Sequence, residues 1–221
     1  MTRGYGQFCG LARALDLVGG RWALLVVRDL LTGPKRFGEL QEGLQGIPTN
    51  VLTSRLRELE EAGIVERRVR SHPGGGVDYA LTEYGLELEE PVLRLGFWGA
   101  KALGSPEEGD VISVDSLALA LRGAFRSEKA RGPQRLYEIR VDGKPLRIVV
   151  KGSSVTVPAS SPEEPDVVVE AAPGDMSKLL TGELDVDSAI GSARVRVDGD
   201  RDEARRLFEM FRFPSTEDAR V

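Results

Sequence analysis

Four polar side chains that could contact the edges of DNA bases recur within one short stretch of the sequence. They are Asn50, Thr53, Ser54 and Arg57. Arginine suits guanine, asparagine suits adenine, and threonine can touch the thymine methyl group. Leu52, Leu56 and Leu59 recur in the same stretch at spacings of four and three, which predicts an amphipathic helix whose apolar stripe packs inward. The four polar side chains would then face outward together.

The neighbouring elements favour this interpretation over the alternative, an amphipathic surface helix that binds nothing. A short helix is predicted over Phe37–Leu44, and residues 46–48 form a turn. Thr49 is the expected N-cap of the next helix, which should reach about Ala62. Two short helices joined by a tight turn form a helix-turn-helix, in which the second helix enters the major groove of DNA.

A β-hairpin that carries cations is predicted to follow. Its strands are Ile64–Arg70 and Val77–Leu81, and residues 71–76 form a glycine-rich tip. Cations on such a wing would meet phosphates, which position a protein without specifying the DNA sequence. The candidates for backbone contact are Lys35, Arg36, Thr49, Arg67, Arg68 and Arg70. His72 is interpreted as an exposed wing residue rather than a pH switch.

Further helical patterns complete the first half of the chain. Leu11–Val18 and Trp22–Leu31 are predicted helices, and Thr82 should cap one helix that runs to about Leu103. A polar segment punctuated by glycine and proline follows and is the best boundary. The predicted domain bounds are 1–104 for a winged helix-turn-helix domain, 105–110 for a linker, 111–214 for a second domain and 215–221 for a tail.

Charge is spread unevenly along the 221 residues. Residues 1–104 contain 13 Lys/Arg and 13 Asp/Glu, whereas residues 105–221 contain 17 and 22, so the net charge of −5 lies in the second half. Attraction to phosphate must therefore come from local placement in the first half. No apolar run reaches the roughly 18 residues of a membrane span, and no signal peptide is recognised. With its single cysteine, the chain is predicted to be cytoplasmic.

The sequence argues against an enzyme. His72 is the only histidine and Cys9 the only cysteine, and they are predicted to lie in separate elements. That leaves no Ser-His-Asp or Cys-His arrangement and no ordinary zinc site. Glycines 4, 6 and 10 do not have the spacing of a dinucleotide-binding fingerprint. We therefore expect no catalytic residues, no metal and no cofactor.

Several segments of the first half resemble the HxlR-type winged-helix regulators. They are Cys9 with residues 14–22 (ALDLVGGRW), residues 33–40 (GPKRFGEL), residues 52–63 (LTSRLRELEEAG), and residues 77–82 (VDYALT) with Gly85. The resemblance covers residues 9–99 and implies a homodimer that pairs through its terminal helices. Each protomer would contribute one recognition helix, and the half-sites would lie roughly 34–36 Å apart.

Two positions depart from the family pattern. Gly10 follows Cys9 where members often have proline, and Gly76 stands where the wing often has arginine. The missing cation argues against minor-groove contact by the wing, and we expect Arg68 and Arg70 to contact the backbone instead. Some members sense oxidants through an N-terminal cysteine, which Cys9 matches. The alternative, which we favour, is a small apolar residue buried at the dimer interface.

Alternating apolar residues predict an α+β domain in the second half. Strands are predicted at residues 137–141, 146–150, 155–157, 166–171 and 193–197, and helices at 114–125, 176–180 and 204–211. Residues 142–145 (DGKP) form a predicted turn between the first two strands. A mostly antiparallel sheet with helices on one side accounts for this order.

The end of this half resembles the sterol carrier protein type 2 domains. The matching segments are residues 179–182 (LLTG), 189–191 (AIG) and 197–200 (VDGD), followed by Ala204. The family implies an apolar tunnel for acyl chains or other lipophiles, for which Val149, Phe208, Met210 and Phe211 are candidate contacts. A filled core that serves only dimerisation or spacing is the alternative.

The sequence therefore predicts two domains, a mainly α winged helix-turn-helix followed by an α+β domain with a mostly antiparallel sheet. The expected function is a homodimeric, DNA-binding transcription regulator, a repressor rather than an activator. A lipophilic ligand in the second domain could modulate it. The rival hypothesis is a lipid-binding or protein-interaction module whose winged helix serves dimerisation only.

Overall fold

Two compact units make up the chain, Met1–Val92 and Leu93–Val221. The computed structural model describes residues 4–69, 76–103, 113–158 and 163–213. The division falls inside a helix, and the predicted linker at 105–110 lies outside the described residues. The predicted domain bounds therefore stay a prediction. No helix among the described residues has both the length and the apolar composition needed to cross a bilayer.

Helices and one small sheet form the first unit. The helices are α1 (Gly10–Val18), α2 (Ala23–Leu30), α3 (Phe37–Gly43), α4 (Thr49–Glu61), α5 (Glu83–Leu86) and α6 (Glu89–Ala100), the last of which ends in the second unit. The strands β1 (Lys35–Arg36), β2 (Val65–Val69) and β3 (Val77–Leu81) pair antiparallel in the order β1-β3-β2. The predicted winged helix-turn-helix is confirmed, with α3 and α4 as its two helices and β2–β3 as its wing.

The start of α4 differs from the prediction by one residue. Pro48, not Thr49, is the N-cap, with an extended backbone at φ −66° and ψ 143°. Thr49 is the first helical residue, and its Oγ1 accepts a hydrogen bond of 2.7 Å from Nε2 of Gln41 in α3. The threonine hydroxyl thus links the two helices instead of capping its own.

The predicted helix from Thr82 to Leu103 is two helices. Thr82 does cap the first of them, since its Oγ1 accepts a hydrogen bond of 3.0 Å from the backbone N–H of Gly85. A turn at residues 87–88 then separates α5 from α6. Pro91 explains the break, because proline has no N–H to donate to the carbonyl of residue 87 and its ring crowds that carbonyl.

A five-stranded sheet with helices forms the second unit. The strands are β4 (Arg135–Val141), β5 (Lys144–Lys151), β6 (Ser154–Thr156), β7 (Val167–Ala171) and β8 (Val195–Gly199). The helices are α7 (Val114–Ala124), α8 (Pro173–Thr181), α9 (Val186–Gly191) and α10 (Arg201–Met210). The strand order is β6-β5-β4-β7-β8, with β4 and β7 parallel and the other pairs antiparallel. The predicted α+β class is confirmed; helix α9 was not predicted.

The register between β4 and β5 follows from the turn that joins them and from the alternation of apolar and polar residues along the strands. Asp142 and Gly143 have φ values of +50° and +70° and form the two-residue turn between β4 and β5, the backbone that an Asp-Gly pair favours in hairpins. Tyr137, Ile139 and Val141 then point into the core that the helices cover. The residues that alternate with them in β4, Glu138 and Arg140, lie on the outer face of the sheet.

Within the second unit, the later part of α6 packs against α7. Gly123 in α7 leaves room for it, since a Cβ there would lie 2.6 Å from Cδ2 of Leu93 and 3.1 Å from Cε2 of Phe97. The rings of Phe97 and Phe213 are 6.4 Å apart between centres. The close approach of α7 and α6 therefore depends on a glycine.

Candidate nucleic-acid interface

Helix α4 separates apolar and polar side chains as its sequence pattern predicts. Leu52, Leu56 and Leu59 are at most 2% exposed. The polar residues on the other side are all exposed, and they are Asn50, Thr53, Ser54 and Arg57. The structure therefore brings the four candidate base-contacting residues onto one accessible side of a helix whose opposite side is anchored.

Three of these side chains already have partners within the helix. The Thr53 hydroxyl donates to the carbonyl oxygen of Thr49 at 2.8 Å, and the Ser54 hydroxyl donates to Oε1 of Glu58 at 2.9 Å. Nε of Arg57 donates to a carboxylate oxygen four residues on, at 2.8 Å. Because these bonds occupy particular donors, they limit what each residue can offer to a base.

An anchor for α4 that sequence reasoning missed lies at Arg55. Its guanidinium donates to Oε2 of Glu58, and a Cβ at Gly20 would overlap it. Gly20 therefore makes room for this arginine between α1 and α2. The Gly-Gly pair before α2 was the signal available in the sequence, but which side chain fills the space follows only from the packing.

The cations predicted to meet phosphate lie on both faces of the wing sheet. Side chains directly opposite one another in neighbouring strands share a face, and successive residues alternate between faces. Lys35, Tyr79 and Arg67 are opposite one another and form one row, the Tyr79 row. The Arg67 guanidinium lies 6.0 Å from the centre of the Tyr79 ring, which restricts where this cation can reach.

The Asp78 row, formed by Arg36, Asp78 and Arg68, lies on the opposite face. Asp78 is only 7% exposed and stands between the two arginines, and sequence reasoning missed it. Nε of Arg68 also donates to Glu66 at 2.7 Å. The described wing cations are thus divided into two pairs on opposite faces. Arg70, like His72 at the predicted tip, lies outside the described residues.

Comparisons with known proteins identify the family of the helix-turn-helix. The model of the HxlR-like helix-turn-helix family matches residues 17–107. The uncharacterized HTH-type transcriptional regulator YdeP of Bacillus subtilis (strain 168) is 38% identical over 93 residues, which are 42% of this chain and 73% of YdeP. The chain belongs to the HxlR-like helix-turn-helix family. It is a helix-turn-helix transcription regulator.

Other proteins are similar to part of this HxlR-like regulator. The uncharacterized regulator Rv3095 of Mycobacterium tuberculosis (strain ATCC 25618 / H37Rv) is 43% identical over 97 residues, 44% of this chain and 61% of Rv3095. The reduced form of the regulator YodB from B. subtilis is 34% identical, with a TM-score of 0.40 over 46% of this chain and 100% of YodB. The second half matches a different model, the SCP-2 sterol transfer family, over residues 121–212.

Cys9 of the HxlR-like regulator is the N-cap residue of α1 and is exposed in the single chain. The nearby backbone N–H groups of Ala12 and Leu11 favour the thiolate and lower the pKa of the thiol from its usual value. The interpretation as a buried interface residue would therefore need a second chain to cover it.

The SCP-2 half does not bring all the candidate ligand contacts together. Phe208, Met210 and Phe211 are at most 6% exposed and belong to one core with Ile148. Val149 follows Ile148 in β5, so its side chain lies on the outer face of the sheet. The three helix-side residues could line an apolar site together, and Val149 is separated from them by the sheet.

Metal ligands are not clustered in the described ranges. No group of three or more histidine, cysteine, aspartate and glutamate side chains there could hold an ion.

Proposed function

We propose that this HxlR-like regulator represses transcription by binding operator DNA as a homodimer, with α4 of each protomer in the major groove. The observation that carries the proposal is the exposure of Asn50, Thr53, Ser54 and Arg57 together, opposite three buried leucines. These residue types match base edges. Glu58 and Glu61 lie further along α4, away from the N-terminal end that enters the groove first.

Backbone contacts would come from the residues that flank α4. We propose Lys35, Arg36, Thr49, Arg67, Arg68 and Arg70 for this role. Since the described cations occupy two faces of the wing, one row would contact phosphate directly, and the other would act by long-range attraction. Alanine substitutions made row by row would identify the contacting face by the larger reduction in the salt dependence of binding.

Exposed apolar side chains support the homodimer. In the first unit Leu11 and Leu15 of α1 are 70% and 43% exposed, and Phe8 just before them is fully exposed. Leu95 and Trp98, in the part of α6 that belongs to the second unit, are 50% and 73% exposed. Neighbouring exposed apolar side chains on one helix mark an interaction site, and a second copy would cover each of these two groups. The half-sites of the operator would then lie roughly 34–36 Å apart.

In vitro selection of genomic fragments with the whole 221-residue chain, at near-physiological salt, tests operator binding. We expect one inverted repeat. Arg57→Ala should then lose about 1–3 kcal/mol of discrimination at one base pair. Arg201→Ala, which removes the same charge from an exposed position in α10, is the matched control and should bind as the wild type does. Fragments no better than a scrambled background, or an unchanged Arg57→Ala variant, would favour a winged helix that serves dimerisation only.

Modulation by a lipophilic ligand is the second part of the proposal. The SCP-2 match supports it, and so do the apolar residues Phe208, Met210 and Phe211 at the core of that half. A ligand can change DNA affinity only if it binds the DNA-competent and incompetent states with different affinity. Titration with palmitate, followed by fluorescence anisotropy of labelled operator DNA, should shift the Kd for DNA. An unchanged Kd at saturating palmitate, with binding verified by calorimetry, would contradict the coupling. We assign no catalytic role, and a regulator of this kind would act in the cytoplasm.

A further inference from the structure

We propose that Ser54 recognises an exocyclic amino group on a base, because Glu58 holds the serine proton and leaves only acceptor positions for DNA. This inference rests on the proposed function, since it assigns a specificity to α4 in the major groove. Glu58 is accordingly a positioning residue, which acts on the base through Ser54.

The hydrogen bond between Ser54 and Glu58 fixes the direction of the hydroxyl. Ser54 Oγ lies 2.9 Å from Oε1 of Glu58, which it can reach only as the donor, since an ionised carboxylate accepts and does not donate. A hydroxyl has one proton and two lone pairs, so the lone pairs are what remains. The carboxylate also polarises the O–H bond, which makes the oxygen a better acceptor.

Arg55 holds Glu58 in this position. Oε2 of Glu58 accepts from Arg55, whose side chain is only 27% exposed and lies over Gly20. The two oxygens of Glu58 are thereby committed to different partners, one to the serine and one to the arginine. The guanidinium also neutralises the carboxylate, which reduces its repulsion from nearby phosphates. The arrangement can therefore persist when α4 lies against DNA.

Bases differ in what they offer to an acceptor in the major groove. Adenine presents its N6 amino group and cytosine its N4 amino group, whereas guanine O6 and thymine O4 are acceptors. An acceptor-only hydroxyl gains a hydrogen bond from the first two and meets an oxygen in the other two. At the position read by Ser54, the contacted strand should carry adenine or cytosine and exclude guanine and thymine.

The Thr53 hydroxyl is also left with acceptor positions only, but for a different reason. Its hydroxyl donates to the carbonyl of Thr49 at 2.8 Å, so it too is left with lone pairs only. Its methyl group can contact thymine in addition, which blurs any preference at that position. Ser54, which has no methyl group, gives the sharper test.

Selection from randomised duplexes, with the wild type and Ser54→Ala compared, locates and tests the contact. The position where the two profiles differ is the one that Ser54 reads. There we expect the wild type to favour adenine and cytosine over guanine and thymine on one strand by roughly 5- to 150-fold, the cost of one mismatch. Ser54→Ala should lose this preference and keep the rest of its profile. A wild-type profile there that favours adenine together with guanine, or accepts a base pair in both orientations, would place the amino groups on different strands and overturn the proposal, as would identical profiles.

Glu58→Ala tests the positioning role, and Glu60→Ala is its matched control. Both remove one negative charge from an exposed position on α4, so general attraction to DNA should rise equally. Only Glu58→Ala frees the Ser54 hydroxyl to donate its hydrogen bond to a base. This variant alone should therefore reduce the preference for bases with amino groups severalfold. Equal preference in the two variants would overturn the role of Glu58. Failure to recover any operator with the wild type would instead contradict the proposed function, which keeps the two failures distinguishable.

Discussion

Ion pairs between arginine and carboxylate side chains are exposed on α4, whereas on the outer face of the second unit's sheet the carboxylate is buried. On α4 the pair of Arg57 and Glu61 is 79% and 64% exposed. On the sheet, Glu138 is 3% exposed and pairs with both Arg140 and Arg147, at 2.6 Å and 2.8 Å. An exposed pair is worth little and exchanges partners readily, whereas a buried carboxylate needs its partners. An arginine is available to bind DNA only where it can exchange its present carboxylate partner for a group on the DNA.

The largest effect should come from removing both arginines of the sheet. The double variant Arg140→Ala/Arg147→Ala leaves Glu138 buried without a cation, which should lower the free energy of unfolding by about 3–5 kcal/mol. Urea denaturation followed by circular dichroism measures this. A loss no greater than that of a surface pair would make the two regions equivalent and contradict the comparison.

The pH dependence of that variant should sharpen the result. Burial alone raises the pKa of Glu138, but hydrogen bonds from Arg147 and Arg140 outweigh it and lower the pKa from its usual value. In the wild type this carboxylate therefore stabilises the fold above its unfolded-state pKa, and the contribution is lost as pH falls through the lower folded-state pKa. Without the arginines, burial raises the pKa, so acidification from neutral pH should make the variant's deficit smaller. A deficit that stays constant between pH 7 and about pH 4 would contradict this.

A much smaller effect on stability is expected at the exposed pair. Glu61→Ala should change the free energy of unfolding by less than about 0.5 kcal/mol. It should also tighten binding to operator DNA, because Arg57 is released and one negative charge is removed. Thermal unfolding and fluorescence anisotropy measure the two quantities, and Glu60→Ala controls for the charge. Glu61→Ala binding no tighter than Glu60→Ala would show that Arg57 is not restrained by its partner.

The smallest change concerns the reactivity of Cys9. Because backbone N–H groups of Ala12 and Leu11 lower the pKa of its thiol, alkylation by iodoacetamide should reach half its maximal rate at a lower pH in the folded protein than in denaturant. Mass spectrometry of the labelled cysteine measures the rates. Coinciding pH profiles would contradict the effect of these N–H groups, since the denatured chain lacks the helix that aligns them.

Periodicity was enough to predict α4, because its leucine spacing determines which side is buried and leaves the polar residues outside. The Asp142-Gly143 turn was equally predictable, since few residue pairs favour two consecutive positive φ values. The break at residues 87–88 had a signal in Pro91 that the prediction of one long helix overlooked. Each of these features depends on residues close together in sequence.

Features that depend on distant residues could not be predicted in the same way. Glu138 alternates with apolar residues, which indicates the solvent side of a sheet. Arg147, which pairs with Glu138, also donates a hydrogen bond of 2.9 Å to the carbonyl of Glu163, a residue far from both in the sequence. The contacts around Glu138 therefore depend on a distant segment. The partner of Ser54 was hidden for a related reason. The Ser54 hydroxyl could donate either to the carbonyl of residue 50 or to Glu58. It donates to Glu58 in the side-chain conformation that Glu58 adopts with Arg55 as its second partner.

The glycine at position 123 has a consequence for how this chain could have arisen. Because Leu93 and Phe97 near the end of α6 pack against α7 at Gly123, a shorter ancestor without the second half would have left both side chains in water or covered them with another surface. Joining an SCP-2 half to an HxlR-like half in this way therefore needs a residue without a side chain opposite Leu93 and Phe97. Chimeras that exchange the second half among relatives should fold well only when the residue at position 123 and the end of α6 are exchanged together.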